Sequence, residues 1–212
     1  VQGMQSILYW SATHPINSFV YTSSTSVYPQ SDASVLDESA TTQSVGERGQ
    51  ILLHAESVLR DAAHKNQGIN RFFILRFAGI YGPSRHHLLD QIRLGQVSAP
   101  VDNYLNLIYR DDAVSAIAAC FTAPQVVQSD TFNCSDNTPR IKRDIIDWLC
   151  KYLNLPFPLV EEHTDYKRSI VGLNRRISSK RLMDNLNWKP QFDSYQKGYE
   201  AILGELSQNF NT

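Results

Sequence analysis

Short, wholly apolar runs alternate along this chain with longer stretches in which apolar positions recur every three or four residues. Residues 18–22 read Ser-Phe-Val-Tyr-Thr, entered from Pro15 and Asn17 and left through the hydroxyl cluster Ser23-Ser24-Thr25-Ser26. Such a β-forming run between turn residues predicts a buried strand. Ahead of it, Met4, Ile7 and Leu8 mark an amphipathic helix that breaks near Pro15. Beyond a polar, acidic loop over residues 30–46, residues 50–65 place Leu52, Ala55, Leu59 and Ala62 at helical spacing, and Asn66 and Gly68 end the run. Phe72-Phe73-Ile74-Leu75 is too short and continuous for a surface helix; Gly79 and Gly82-Pro83 close it as a second buried strand. Strand, helix and strand with both strands apolar throughout predict an α/β fold, a parallel sheet shielded on both faces by its crossover helices.

Further on, residues 105–109 predict a short strand, after which Asp111 or Asp112 caps a helix carrying Val114, Ile117, Ala118 and Phe121. Residues 131–134 read as another strand. Residues 139–153 form an amphipathic helix with Ile145, Ile146, Trp148, Leu149 and Tyr152 available for burial, and residues 194–206 a similar closing helix. No internal repeat, low-complexity tract or flexible linker interrupts the pattern.

Composition narrows the function classes. With 212 residues, 42% hydrophobic and 19% charged, the chain suits one globular domain, alone or with a small annex. The formal net charge of −1, with basic residues scattered apart from Arg175-Arg176 and Lys180-Arg181, makes no field for nucleic acid or an anionic membrane. The first residues lack a signal-peptide pattern and no run approaches the roughly 18 apolar residues of a membrane span, so a cytoplasmic protein is expected. Cys120, Cys134 and Cys150 have no CxxC spacing and read as reduced, buried thiols. His86-His87 does not predict a metal site, because adjacent histidines point apart and no carboxylate or cysteine stands at a supporting local spacing.

Open α/β sheets bind ligands at the carboxyl ends of their strands, which here carry the hydroxyl cluster and the glycines. The segment Phe19-Val20-Tyr21-Thr22-Ser23-Ser24-Thr25-Ser26-Val27-Tyr28 resembles the strand-and-serine segment of the NAD-dependent epimerase/dehydratase group of extended and atypical short-chain dehydrogenase/reductases. Leu75-Arg76 through Tyr81-Gly82-Pro83 is similar to that group's LR-x-x-x-x-YGP segment, and Ile108-Tyr109-Arg110-Asp111-Asp112-Ala113 to a third motif. Phe132-Asn133-Cys134-Ser135-Asp136 and residues 174–188 resemble its later substrate-domain signatures. The likeness spans nearly the whole chain, in matching order.

This resemblance implies an NAD(P)-binding Rossmann-like parallel sheet, amino-terminally truncated, with a small carboxy-terminal substrate subdomain. Residues 1–82 would be the remaining Rossmann part, and residues 83–212 mostly the substrate side, with returns to the main domain near residues 105–135. In the family a serine polarises the reacting oxygen, a tyrosine moves the proton, and a lysine four residues on lowers the tyrosine pKa. The serine falls on Ser24. Counted back from Glu56, the tyrosine position holds Arg48 and the lysine position Leu52, and none of the ten tyrosines has a lysine four residues on. The family's opening G-x-x-G-x-x-G turn, which holds the cofactor pyrophosphate, has no match; Gly46/Gly49 and Gly79/Gly82 lack the third glycine. The missing βα units amount to on the order of a hundred residues, at about 30 or more per βαβ unit.

The same resemblance places Thr22, Phe77, Gly79 and Ile80 along the nicotinamide side of an NAD or NADP site, and Thr25, Arg48, Tyr81 and Arg85 toward a small-molecule substrate. Plainer roles stand beside these: Ser24 as a strand-end serine satisfying a backbone group, Arg48 and Arg85 as solvated charges, Tyr81 as a half-buried aromatic, and the glycines and Phe77 as strand packing. The function implied is an oxidoreductase or epimerase acting on a sugar nucleotide or another carbonyl- or hydroxyl-bearing molecule. The alternatives are a non-catalytic nucleotide- or metabolite-binding scaffold or sensor, or an inactive truncated product. The serine strand is expected at a sheet edge, where unpaired backbone groups favour self-association.

Overall fold

The computed structural model describes residues 1–43, 46–162 and 173–209, so the polar loop expected over residues 30–46 is described apart from residues 44 and 45. The chain opens with α1 (Gln2–Ser11) and enters β1 (Phe19–Ser24), which a single 3₁₀ turn at Thr25–Val27 ends. Then follow β2 (Val35–Leu36), α2 (Glu47–His64), β3 (Phe72–Phe77), β4 (Gly79–Tyr81), α3 (His87–Arg93) and β5 (Gln96–Ser98). Next are β6 (Tyr104–Leu105), β7 (Leu107–Tyr109), α4 (Arg110–Thr122), β8 (Asp130–Cys134), β9 (Arg140–Ile141) and α5 (Lys142–Leu153). The last elements are β10 (Leu159–Glu161), β11 (Arg176–Ile177), α6 (Lys180–Leu186) and α7 (Tyr195–Asn209).

The expected parallel sheet is present. β3, buried at every position, lies between β1 and β8, and both pairings are parallel. Successive side chains of a strand point to opposite faces, and the core divides accordingly. Phe72 and Ile74 join Leu8, Leu59 and Ala62 beneath α1 and α2, whereas Phe73, Leu75 and Phe77 join Ala113, Ala116 and Cys120 of α4. A continuous apolar run is what a strand covered on both faces needs. Among the described residues β1 has a strand partner only on its β3 side, so it forms one edge of this sheet. A further core gathers Tyr81, Leu89, Val97, Tyr109, Ile145 and Tyr199 from α3, α5, α7 and the short strands between them.

One residue of β3 breaks its apolar pattern. Arg76 points to the α2 face, where Glu56 accepts its Nη2 at 2.6 Å and its Nε at 3.1 Å. Ser23 Oγ donates to the same carboxylate at 2.7 Å, Arg60 donates to it at 3.0 Å, and Arg76 Nη1 donates to the Tyr28 hydroxyl at 2.9 Å. Tyr28 in turn donates to Asn133 of β8 at 2.8 Å. Burial works to raise the Glu56 pKa, but the hydrogen bonds and charge of Arg76, with Ser23 and Arg60, outweigh it and hold the carboxyl below its ordinary value.

Several expectations need correction. Neither Asp111 nor Asp112 caps α4, whose N-cap is Tyr109 without a side-chain cap bond. Asp112 instead turns inward, and its carboxylate accepts the Gln191 and Phe192 amides at 2.7 and 2.9 Å. With Asp112 anchored there, the inward face of α4 is Ala113, Ala116 and Cys120, one position away from the face expected, and Val114 and Phe121 are exposed. The helix expected over residues 139–153 starts only at Lys142, because Arg140 and Ile141 pair with β6 as β9. Ile7 and Tyr152, read as core positions, are also exposed. The three cysteines are free and buried, and burial pushes the Cys120 thiol up to about 12. Among the described residues no helix is long and apolar enough to cross a membrane.

Replacing Glu56 by Leu leaves Arg76 charged, buried and unpaired, so the variant is expected to lose about 3–5 kcal/mol in urea unfolding. Because the folded Glu56 pKa is lowered, its contribution is complete above the unfolded value of 4.5 and fades as pH falls below that, through the folded value. The gap between parent and variant should therefore narrow in acid. A loss under about 1 kcal/mol at neutral pH would mean that Arg76 finds another partner.

Candidate active site

The carboxyl ends of β1 and β3 lie side by side, with Ser24 in register with Phe77. Ser24 is half-buried, and its Oγ accepts the Ser26 amide at 3.2 Å, which caps the 3₁₀ turn. The plain role of a strand-end serine is thus filled by a lone pair. Its proton goes to no acceptor among the described residues, so the hydroxyl keeps a hydrogen bond to donate. Its neighbour Ser23 is committed to Glu56. Thr22 is exposed, and Thr25 is buried with its carbonyl accepting Arg175 Nη2 at 3.0 Å. The Phe77 side chain is packed in the core below, which leaves its backbone as the part nearest the site.

Two residues past β3, the chain runs as β4 beside β7. Gly79 donates its amide to the Asn106 carbonyl at 2.9 Å, and a Cβ there would stand 3.1 Å from that oxygen. Its missing side chain therefore serves strand packing as well as any ligand. Gly79, Ile80, Tyr81 and Arg85 line a cleft of about 500 Å³, together with His86 and His87 at the start of α3. This cleft brings four of the expected residues together. Arg85 is fixed by its Nε, which donates to the Ile80 carbonyl at 2.9 Å, while the residue stays exposed.

Tyr81 is 4% exposed and stacked edge-on to Tyr109, with Tyr199 on another side. Its hydroxyl has no hydrogen-bond partner among the described residues. Burial, then the nearby Asp136 and Tyr199, raises its pKa, so the group stays a neutral phenol able to donate. Gly198 of α7 makes room for it: a Cβ there would come within 2.0 Å of the Tyr81 hydroxyl oxygen. Asp136 accepts the Thr138 amide at 2.9 Å, but its burial outweighs this bond and lifts its pKa to about 7.

Arg48 stands apart from this cluster, exposed on the first turn of α2. Leu52, one turn later, packs against the core of Val27, Tyr28, Leu36 and Ile177. An apolar contact thus occupies the position where the resemblance looked for a lysine. Pattern reading also passed over Asp90, four residues from His86, whose carboxylate lies 3.4 Å from His86 Nε2. The i, i+4 spacing was its signal. Asp136 and Tyr199 gave none, because tertiary packing alone brings them near Tyr81.

Comparison with known proteins adds the following. The family model described as the NAD dependent epimerase/dehydratase family matches residues 1–135. Protein YeeZ of Escherichia coli K12 is 30% identical over 125 residues, which are 59% of this chain and 43% of YeeZ. The chain thus matches less than half the length of that curated relative. Among solved structures, MoeE5 in complex with UDP-glucuronic acid and NAD superposes with a TM-score of 0.84 at 16% identity, covering 99% of this chain and 71% of MoeE5. The UDP-glucuronic acid 4-epimerase of Bacillus cereus, in complex with NAD, gives 0.80 at 20% identity, covering 98% and 67%. At these identities the two structures show a shared fold.

Gly198→Ala places a methyl group against the Tyr81 hydroxyl. Helix propensity alone would favour the alanine by about 1 kcal/mol, yet overpacking typically costs about 1–3 kcal/mol. Net destabilisation is expected in thermal unfolding, with part of it recovered by adding Tyr81→Phe. Independent effects of the two substitutions would remove Tyr81 from contact with α7. A second expectation concerns Asp136, whose folded pKa of about 7 lies above its ordinary 3.8. The folded state holds a proton between those values that the unfolded state has lost, so stability falls as pH rises through that window. Asp136→Asn should therefore be more stable than the parent at pH 8 and gain nothing near pH 3; an equal effect at both would contradict the assignment.

Proposed function

We propose, from the premise that this chain belongs to the NAD dependent epimerase/dehydratase family, that its cleft takes a polyhydroxylated or carbonyl-bearing small molecule of the sugar-nucleotide kind. Ser24 polarises the reacting oxygen. The observation that carries this reading is the Ser24 hydroxyl, its lone pair tied to Ser26 and its proton uncommitted among the described residues, at the end of β1 opposite Phe77, which lies two residues before β4 enters the cleft. Thr25, Tyr81 and Arg85 lie on the substrate side, where Tyr81 offers a neutral donor and Arg85 a fixed cation. Arg48, exposed on α2, would reach only an extended ligand. The division of residues 1–82 from residues 83–212, and a cytoplasmic setting, belong to the same reading.

The residues present fit one end of NAD or NADP. The exposed Thr22 and Gly79, with Ile80 and the Phe77 backbone, offer a wall for the nicotinamide. No glycine-rich phosphate turn occurs in the 212 residues to hold the pyrophosphate. When bound, the cofactor supplies hydride acceptance and return. What this chain contributes is orientation and a hydrogen bond from Ser24; proton transfer is poorly served. Arg48 brings no hydroxyl to the tyrosine position, and Leu52 packs against an apolar core. That last contact favours a second reading, a family member that binds its nucleotide or metabolite without turning it over.

Both readings are separated by following reduced-cofactor absorbance for the full natural protein with UDP-sugars. Loss of a tyrosine–lysine pair removes a proton-transfer contribution of about a hundred- to ten-thousand-fold, so little turnover is expected. Ser24→Ala should weaken ligand binding more than it changes rate, and Arg48→Tyr with Leu52→Lys should raise the rate. Robust turnover by the unmutated protein, abolished by Ser24→Ala, would show that another acid does the tyrosine's work.

A further inference from the structure

Arg175 is 6% exposed and has no carboxylate partner among the described residues. Its Nη2 donates to the Thr25 carbonyl, while its buried Nη1 meets no hydrogen-bond partner among them. Its backbone is held firmly: the Arg175 carbonyl accepts Asn106 Nδ2 at 2.9 Å, and the flanking Asn174 and Arg176 bond to Tyr104 and Ser34. Asn106 also accepts the Gly79 amide, so Arg175 spans from the turn after Ser24 to the segment behind the cleft. The Thr25–Ser26 peptide that Arg175 grips carries a second orphan, the buried Ser26 Oγ.

A buried guanidinium without a counter-charge costs several kcal/mol in general. The other buried arginines meet their needs, Arg76 with Glu56 and Arg71 with three carbonyls and Ser18. The low-dielectric surroundings that make a bare charge costly also strengthen its attraction to an anion. Burial lowers the Arg175 pKa to about 10, which still leaves it fully charged near neutrality.

We infer that Arg175 and Ser26 form an oxyanion subsite beside Ser24, taking a phosphate or carboxylate group carried by the ligand of the cleft. The guanidinium supplies Nη1 as a charge-assisted donor and Ser26 its hydroxyl. Because Nη1 is shielded from water in the free protein, the groups over it shift as the anion enters. The subsite rests on the reading of the cleft as a ligand site, but its test is binding, so failed turnover and failed anion binding remain separate results.

The test is calorimetric titration of the full chain, in a low-salt buffer, with inorganic pyrophosphate, with glucuronate and with neutral glucose. One saturable anion site is expected, with glucose giving none; binding of pyrophosphate alone identifies a phosphate subsite, and of glucuronate alone a carboxylate subsite. Arg175→Met should lose about tenfold or more in affinity, the loss of one charge-assisted hydrogen bond. Arg175→Lys, which keeps the charge without the planar fork, and Ser26→Ala should each bind a few-fold more weakly, and these two stand in if the methionine variant fails to fold. No saturable binding of either anion would overturn the inference and leave a buried water as the partner of Nη1. Unchanged affinity in the substituted proteins would overturn it as well.

Discussion

The ion pair between Glu56 and Arg76 sets the geometry on which the rest of the molecule depends. A carboxylate and a guanidinium, both nearly fully buried, are tolerable only when their hydrogen bonds are satisfied. Here Glu56 meets Arg76 twice and also takes Ser23 and Arg60, while Arg76 passes its last bond through Tyr28 to Asn133. One network thereby ties α2 to the ends of β1, β3 and β8. A shift of β1 along β3 would take the Ser23 hydroxyl away from Glu56 and leave that buried carboxylate short of a hydrogen bond, so the register of Ser24 opposite Phe77 is supported by this bond as well as by apolar packing. The candidate site inherits its position from that corner.

What the site adds is a set of groups whose bonding is incomplete. Among the described residues Ser24 has a free proton, Tyr81 an unpartnered hydroxyl and Arg175 an unpaired charge, and Asp136 has a burial that opposes its ionisation. Each is a stability liability in the free protein, in contrast to the satisfied corner a few residues away. Such liabilities concentrate where ligands bind, because the ligand supplies the missing partner. Small residues keep room for them: Gly198 clears the space for Tyr81, and Gly79 lets β4 close on the Asn106 carbonyl.

Much of the sheet was legible because burial on both faces leaves a continuous apolar run, and β3 is that run, extended to Phe77. Its one charged residue, Arg76, announced a buried partner, but Glu56 lies twenty residues earlier on a helix whose apolar spacing looked complete without it. The inward face of α4 was misread for a related reason. Val114 and Phe121 are more hydrophobic than Ala113, Ala116 and Cys120, yet the pull of Asp112 toward the Gln191 and Phe192 amides sets the rotation. Ser24, Tyr81 and Arg85 were singled out through motif order, whereas Arg175 was read only as half of a short basic pair. Its burial follows from contacts with Thr25 and Asn106, some 150 and 69 residues away, which no local pattern carries.

The account stands most directly on the claim that the Glu56 corner holds the Ser24 turn in place. Native-state hydrogen exchange in a Glu56→Gln variant tests it, since glutamine keeps the shape of the side chain and removes its charge. The Ser26 amide, which reaches Ser24 Oγ, and the β1 amides next to it should lose protection, while the amides of α5 and α7, which pack in a separate core, keep theirs. Unchanged protection at Ser26, or a uniform loss across all elements, would contradict the claim.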